Sequence, residues 1–230
     1  MPQGSNPLLS TQWHFSLIGD IRAVWADYCG DGVTVAVYDD GVQSTHADLR
    51  SNYDQTLELE LVGSTPNDGN SGHGTAVAGI IAAADNDTDA IGVSFGATLV
   101  GVDYLNDAFD LTYAEYLTVL SAAERFDVVN FSWGTYQAFL PLSNLGDARS
   151  QTGGEAVALR EAISDGRDGL GTIIIKAAGN FANDSNNARF GILGNAQGEG
   201  MNNMHELIVV AATDRSGNAA SYSSWGHNLL

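Results

Sequence analysis

Apolar residues occur in this chain as short, nearly unbroken runs set off by glycine and polar turns. Stretches with a three-to-four-residue apolar spacing lie between them. The first run, residues 33–39 (V-T-V-A-V-Y-D), is opened by Gly30-Asp31-Gly32 and stopped by Gly41, and reads as a strand. Residues 98–104, 128–133, 172–178 and 207–213 read the same way, and 173–175 and 207–210 are wholly apolar. Such runs mark a parallel sheet covered on both faces. Helices are expected at 20–28, with Asp20 as N-cap, at 71–84, at 111–126 and at 155–164. In 111–126, Tyr113, Leu117, Leu120 and Ala123 fall on one side. Pro2 and Pro7 oppose a helix in residues 1–16, which read as an extended arm. Residues 51–72 and 181–204 read as polar loops, 85–97 as an acidic loop, and 214–230 as turns. Strands alternating with helices, without repeats or linkers, predict one α/β domain over residues 1–230. Its sheet is doubly wound and mostly parallel, with helices on both faces.

The stretch 71–84, S-G-H-G-T-A-V-A-G-I-I-A-A-A, is small or apolar on every side. A helix without a polar face is expected to be buried, with His73 at its entrance. That pattern fits a histidine heading a buried helix. Taken alone it favours that reading over a general base held at one orientation by a rigid scaffold, which it also fits. In an open parallel sheet the ligand sits at the carboxyl ends of the strands, and Asp39, Ser132 and Asn180 fall at such ends.

Composition narrows the partners. The 230 residues hold 9 basic and 28 acidic side chains, a formal charge of −19, which opposes nucleic acid or an anionic membrane as partner. Excess Asp suits a hard cation such as calcium, and equally suits solubility in a salty or extracellular medium. Cys29 is the only cysteine, so no internal disulfide is possible. The first 20 residues lack a signal-peptide pattern, and no stretch is long and apolar enough for a transmembrane helix.

Three pieces carry the chemistry: V-A-V-Y-D-D-G ending in Asp39 to Gly41, S-G-H-G-T around His73, and A-A-G-N ending in Asn180. With H-A-D-L at 46–49, S-W-G at 132–134 and N-P-L-L-S-T-Q-W-H-F at the start, they resemble the subtilisin-like serine proteases. The likeness runs from about Asn6 to the end, and the S-W-G and opening segments, with Asp39-Asp40-Gly41, look more like the kexin/furin branch. The resemblance implies a serine endopeptidase acting on protein or peptide substrates. Asp39 would orient His73, and Asn180 would donate to the oxyanion; losing one such donor costs roughly 10²–10³ in rate. Ser132, Trp133 and Gly134 with Ala177, Ala178 and Gly179 would form two walls of the pocket, the first segment pairing with substrate main chain as an added strand.

The resemblance further implies a structural Ca2+ on Asp48, Asn86 and the carbonyls of Ala84, Thr88 and Ala90, with Asp87 as alternate ligand. A second ion is disfavoured, because Gln137 and Ser224 stand where acidic ligands are expected; this also weakens a preference for paired basic residues. The family nucleophile is a serine in G-T-S, yet Gly74-Thr75, Gly134-Thr135 and Gly171-Thr172 are not followed by serine. The expectation is therefore a domain lacking its C-terminal portion, with the nucleophilic serine further along. Such a chain should hydrolyse peptides negligibly by itself. No prosegment is recognised. A secreted, extracellular monomer is expected.

Two alternatives belong to other classes. One is a non-catalytic calcium- or peptide-binding module. The other is an esterase using Ser94 of G-V-S-F-G with His205, which requires a strand, the serine and then a helix. No G-x-G-x-x-G follows the first strand, so a dinucleotide fold is disfavoured. His14, His46, His205 and His227 lack metal-ligand spacing and read as structural or surface residues.

Overall fold

The computed structural model describes residues 5–58, 72–107, 111–134, 151–183, 194–227 and 229–230. They fall into two compact units, Met1–Thr112 and Tyr113–Leu230.

The first unit is built on β1 (Thr34–Asp39) and β2 (Thr98–Asp103), paired in parallel so that Val37 stands opposite Gly101 and Asp39 opposite Asp103. Both strands are buried along nearly their whole length, as unbroken apolar runs require. Helix α1 (Ile21–Trp25) starts where the Asp20 side chain accepts from the Ala23 N–H at 3.3 Å. It seats Trp25 in the core, edge-on to Phe95. Residues 9–11 and 13–16 form 3-10 turns rather than an extended arm. Proline bars an α-helix interior but leaves a single turn open, and the Thr11 hydroxyl closes one on the Leu8 carbonyl at 2.7 Å.

Helix α3 (His73–Ala82) corrects the expectation of burial all round. Gly74, Ala78 and Ala82, four apart, are buried, while Ala76 and Ile80 are exposed. The helix has no polar face, yet Ala76 and the larger Ile80 both face outward, so absence of polar residues did not mean burial. Two one-turn helices interrupt what read as loop or strand end: α2 (Gln55–Glu58) and α4 (Tyr104–Asp107). The first buries Glu58, whose Oε2 accepts from the Tyr53 hydroxyl at 2.7 Å. That hydroxyl also accepts from the Gly101 N–H at 3.1 Å.

In the second unit β3 (Val128–Phe131), β4 (Ile173–Ala177) and β5 (Ile208–Val210) run parallel in that order, with Phe131 opposite Lys176 and Ala177 opposite Val210. Helices α5 (Tyr113–Ser121) and α6 (Gln151–Gly169) pack on each other. Regular geometry in α6 stops before Gly166, and Arg167 and Asp168 adopt left-handed backbone. The strands of this unit are shorter than the runs 128–133, 172–178 and 207–213.

Candidate functional site

At the end of β1 the chain turns through Gly41, whose φ of +91° a side chain would oppose. The first turn of α3 comes back against this corner. A Cβ on Gly74 would lie 2.2 Å from the Gly41 carbonyl and 2.9 Å from Asp39 Cβ, so only glycine permits the approach. Asp40 locks it: its Oδ1 accepts from the Gly74 N–H at 2.7 Å and its Oδ2 from the His73 N–H at 3.3 Å. A carboxylate at these unpaired N-terminal donors is favourable.

The result is that His73 Nδ1 lies 2.7 Å from Asp39 Oδ1. Asp39 is wholly buried, and the His73 side chain is 59% exposed. The Asp40 N–H also donates to Asp39 Oδ1, at 2.8 Å. Burial pushes the Asp39 carboxyl above the ordinary range; the Asp40 N–H and His73 oppose that shift. Asp39, Asp40 and His73 could together offer ligand atoms to a metal, but the Asp40 oxygens are already engaged in capping α3. The arrangement is that of a largely exposed imidazole held by a buried carboxylate.

The Asp48 segment and the loop after α3 also meet within the first unit. Asp48 is 4% exposed; its Oδ2 accepts from the Ala90 N–H at 3.1 Å, and its carbonyl from the Ala84 N–H at 2.8 Å. Its Oδ1 is buried without a hydrogen-bond partner among the described residues. Asn86 donates to the Ala47 carbonyl at 3.1 Å and accepts from the Thr88 N–H at 3.0 Å. Asp87 accepts from the Ser5 N–H. Asp87 and Asp89 have positive φ. Sequence reasoning missed Asn6. It is 5% exposed, donates to Asp85 at 2.7 Å, and leaves its own Oδ1 buried and unpartnered among the described residues. An amide buried beside an acidic loop is the signal that could have found it. Nearby, Leu8, His46, Asp48, Thr75 and Ile80 line part of a cavity of about 420 Å3.

The remaining candidates lie in the second unit. Ser132, Trp133 and Gly134 follow β3, and the Ser132 hydroxyl accepts from Asn130 at 2.8 Å. Ala177 ends the neighbouring β4, and Ala178, which is buried, continues its pairing by donating to the Val210 carbonyl at 2.9 Å. Gly179 has φ +104°, where a Cβ would meet the Phe181 ring at 2.8 Å. The turn it makes leaves Asn180 exposed. Ser224 accepts from the Phe181 N–H at 3.2 Å, and Gln137 lies outside the described residues. Ser94 sits in a turn between α3 and β2, its N–H donating to the Ile81 carbonyl, so the strand–serine–helix elbow is absent. His14 and His46 are half-buried, and His205 and His227 exposed.

Residues 30–229 match the subtilase family model. The chain belongs to the subtilase family. Aeromonas extracellular serine protease from Aeromonas sobria is 31% identical over 262 residues, covering 99% of this chain and 40% of that protein. Proprotein convertase subtilisin/kexin type 4 from Rattus norvegicus is 30% identical, covering 95% and 32%. The crystal structure of the Aeromonas sobria serine protease superposes with a TM-score of 0.78 at 28% identity, covering all of this chain and 43% of that one. The subtilase fold is thus the α/β, parallel-stranded fold expected, and kexin- and furin-like proteases are among its relatives. The chain spans 11–40% of the length of these curated relatives. No helix among the described residues is long and apolar enough to cross a membrane.

Proposed function

We propose that this subtilase chain is the base-bearing part of a serine endopeptidase. The observation that carries the reading is the 2.7 Å contact between His73 Nδ1 and a fully buried Asp39. Asp39 accepts a hydrogen bond from Nδ1–H, which fixes the tautomer that leaves Nε2 unprotonated to take the proton of an attacking hydroxyl. The buried carboxylate then stabilises the imidazolium formed. Asn180 donates its carboxamide to the developing oxyanion. Ser132–Gly134 pair with the substrate main chain, and Ala177–Gly179 form the facing wall. The attacking hydroxyl is that of the family's G-T-S serine, a motif that residues 1–230 do not contain, so this chain by itself hydrolyses peptides negligibly. Its substrate is a protein or peptide, and its site of action is extracellular, as the name of the Aeromonas extracellular serine protease says of that protein.

A calcium ion is the group the family implies. The acidic loop with two orphaned, buried oxygens on Asp48 and Asn6 fits a hard cation that takes oxygen ligands. Those two oxygens, Asn86 and the carbonyls of Ala84, Thr88 and Ala90 would hold it, with Asp87 as alternate. Its contribution is to tie the N-terminal segment to the loop that follows α3.

Hydrolysis of a labelled protein substrate tests the assignment, comparing the 230-residue chain with the polypeptide extended in the same reading frame. The extended form is expected to be active and to lose activity on His73→Ala. An active extended form indifferent to His73→Ala contradicts the assignment, and an inactive one leaves the non-catalytic peptide-binding module as the better reading.

A further inference from the structure

Lys176 breaks the pattern of its strand. It is the only charged residue in I-I-I-K-A, it shares with Ile174 the buried face of β4, and it is fully buried. Its Nζ lies 2.9 Å from Glu199 Oε1, a side chain itself 6% exposed. Buried ion pairs are seldom a net gain over apolar side chains of equal volume, so this one needs a reason other than stability.

The reason lies in what each end of the pair touches. Nζ donates to the Trp133 carbonyl at 2.8 Å and sits 5.2 Å from the centroid of the Trp133 ring. The other carboxylate oxygen, Glu199 Oε2, lies 2.8 Å from where a Cβ on Gly134 would be, so a side chain at residue 134 would push the carboxylate from its place. Cation and anion therefore bear on two successive residues of one segment, just past the end of β3. Glu199 is fixed in turn: its carbonyl accepts from the Asn203 carboxamide at 2.9 Å. The neighbouring Asn202 donates to the Ala178 carbonyl at 3.4 Å and the Ala196 carbonyl at 3.0 Å, tying the same turn to the segment after β4.

We propose that Lys176 and Glu199 are positioning residues that hold the Trp133–Gly134 main chain in register to receive a peptide strand. The inference rests on the assignment of Ser132–Gly134 as the substrate strand. Because the Lys176 charge is met by Glu199, the device adds no net charge beneath the peptide. The peptide contacts neither side chain, so their influence passes through the backbone they hold.

The test is peptide binding by the intact 230-residue chain, read as the fluorescence anisotropy of labelled oxidised insulin B chain, alongside thermal melting. Lys176→Met combined with Glu199→Leu replaces the pair by apolar side chains. This chain is expected to melt as the native one does yet bind about tenfold more weakly, the size of one lost main-chain hydrogen bond. Lys176→Arg, which keeps a cation and its donors, is expected to keep binding near the native level. Should the doubly apolar chain fail to fold, Glu199→Gln keeps the shape while removing the anion, and weakened binding is again the supporting result. Native-like binding by the doubly apolar chain, or by Glu199→Gln in its place, overturns the proposal alone. Absence of binding by the native chain overturns the substrate-strand assignment as well.

Discussion

Asp39 is inaccessible to solvent, whereas His73, held 2.7 Å away, has more than half its side chain in water. One partner is fixed in the sheet and the other is presented. That asymmetry suits an orienting carboxylate and a working base, and it depends on backbone fit as much as on the two side chains.

Gly74→Ala tests the fit. The added methyl would meet the Gly41 carbonyl at 2.2 Å, and neither backbone can yield without moving the start of α3 from the end of β1. The expected cost is about 1–3 kcal/mol, typical of overpacking, measured by urea unfolding. An unchanged midpoint would show that the approach is looser than described.

The raised pKa of Asp39 has a definite sign in stability. In the window between the ordinary carboxylate value and the raised one, the folded chain binds more protons than the unfolded chain. Stability from this group is therefore present at low pH and falls as pH rises through the window. Asp39→Asn removes the ionisation, so its stability relative to native should improve as pH rises above the ordinary carboxylate range. Unfolding by urea at several pH values measures this. A variant that instead loses ground as pH rises contradicts the assignment.

Tyr53→Phe removes a hydroxyl that joins Glu58 to the Gly101 N–H inside the first unit. Burial, with Glu58 beside it, holds this phenol well above its ordinary range, so it stays a neutral donor. The expected loss is about 1–3 kcal/mol, because a buried partner is left behind, and chemical denaturation gives the figure.

Calcium should raise the melting temperature of the native chain. An ion at about 100 times its Kd adds about 2.7 kcal/mol. Asp48→Ala and Asn6→Ala should each abolish most of the rise, and a chelator should reverse it in the native chain. No shift with millimolar calcium would remove the site.

Much of this was legible in sequence where pattern and punctuation agreed. The apolar run ending in Asp39-Asp40-Gly41 located β1 to within a residue, and S-G-H-G placed the start of α3. The outward face of α3 was not legible, because alanine and glycine carry no mark of which side meets water. The single turns α2 and α4 are too short to display a period. Asn6 and Lys176 were missed for another reason. Each is polar in a place whose burial only tertiary packing reveals, and each is explained by a partner distant in sequence, Asp85 for one and Glu199 for the other.

The central claim is that the buried carboxylate holds the Nδ1 proton of the exposed imidazole. Proton NMR of the 15N-histidine-labelled chain addresses it directly. The account predicts a downfield Nδ1–H resonance assigned to His73 that disappears in Asp39→Ala while the fold persists. The same resonance surviving in Asp39→Ala, or a native His73 protonated only at Nε2, would contradict it.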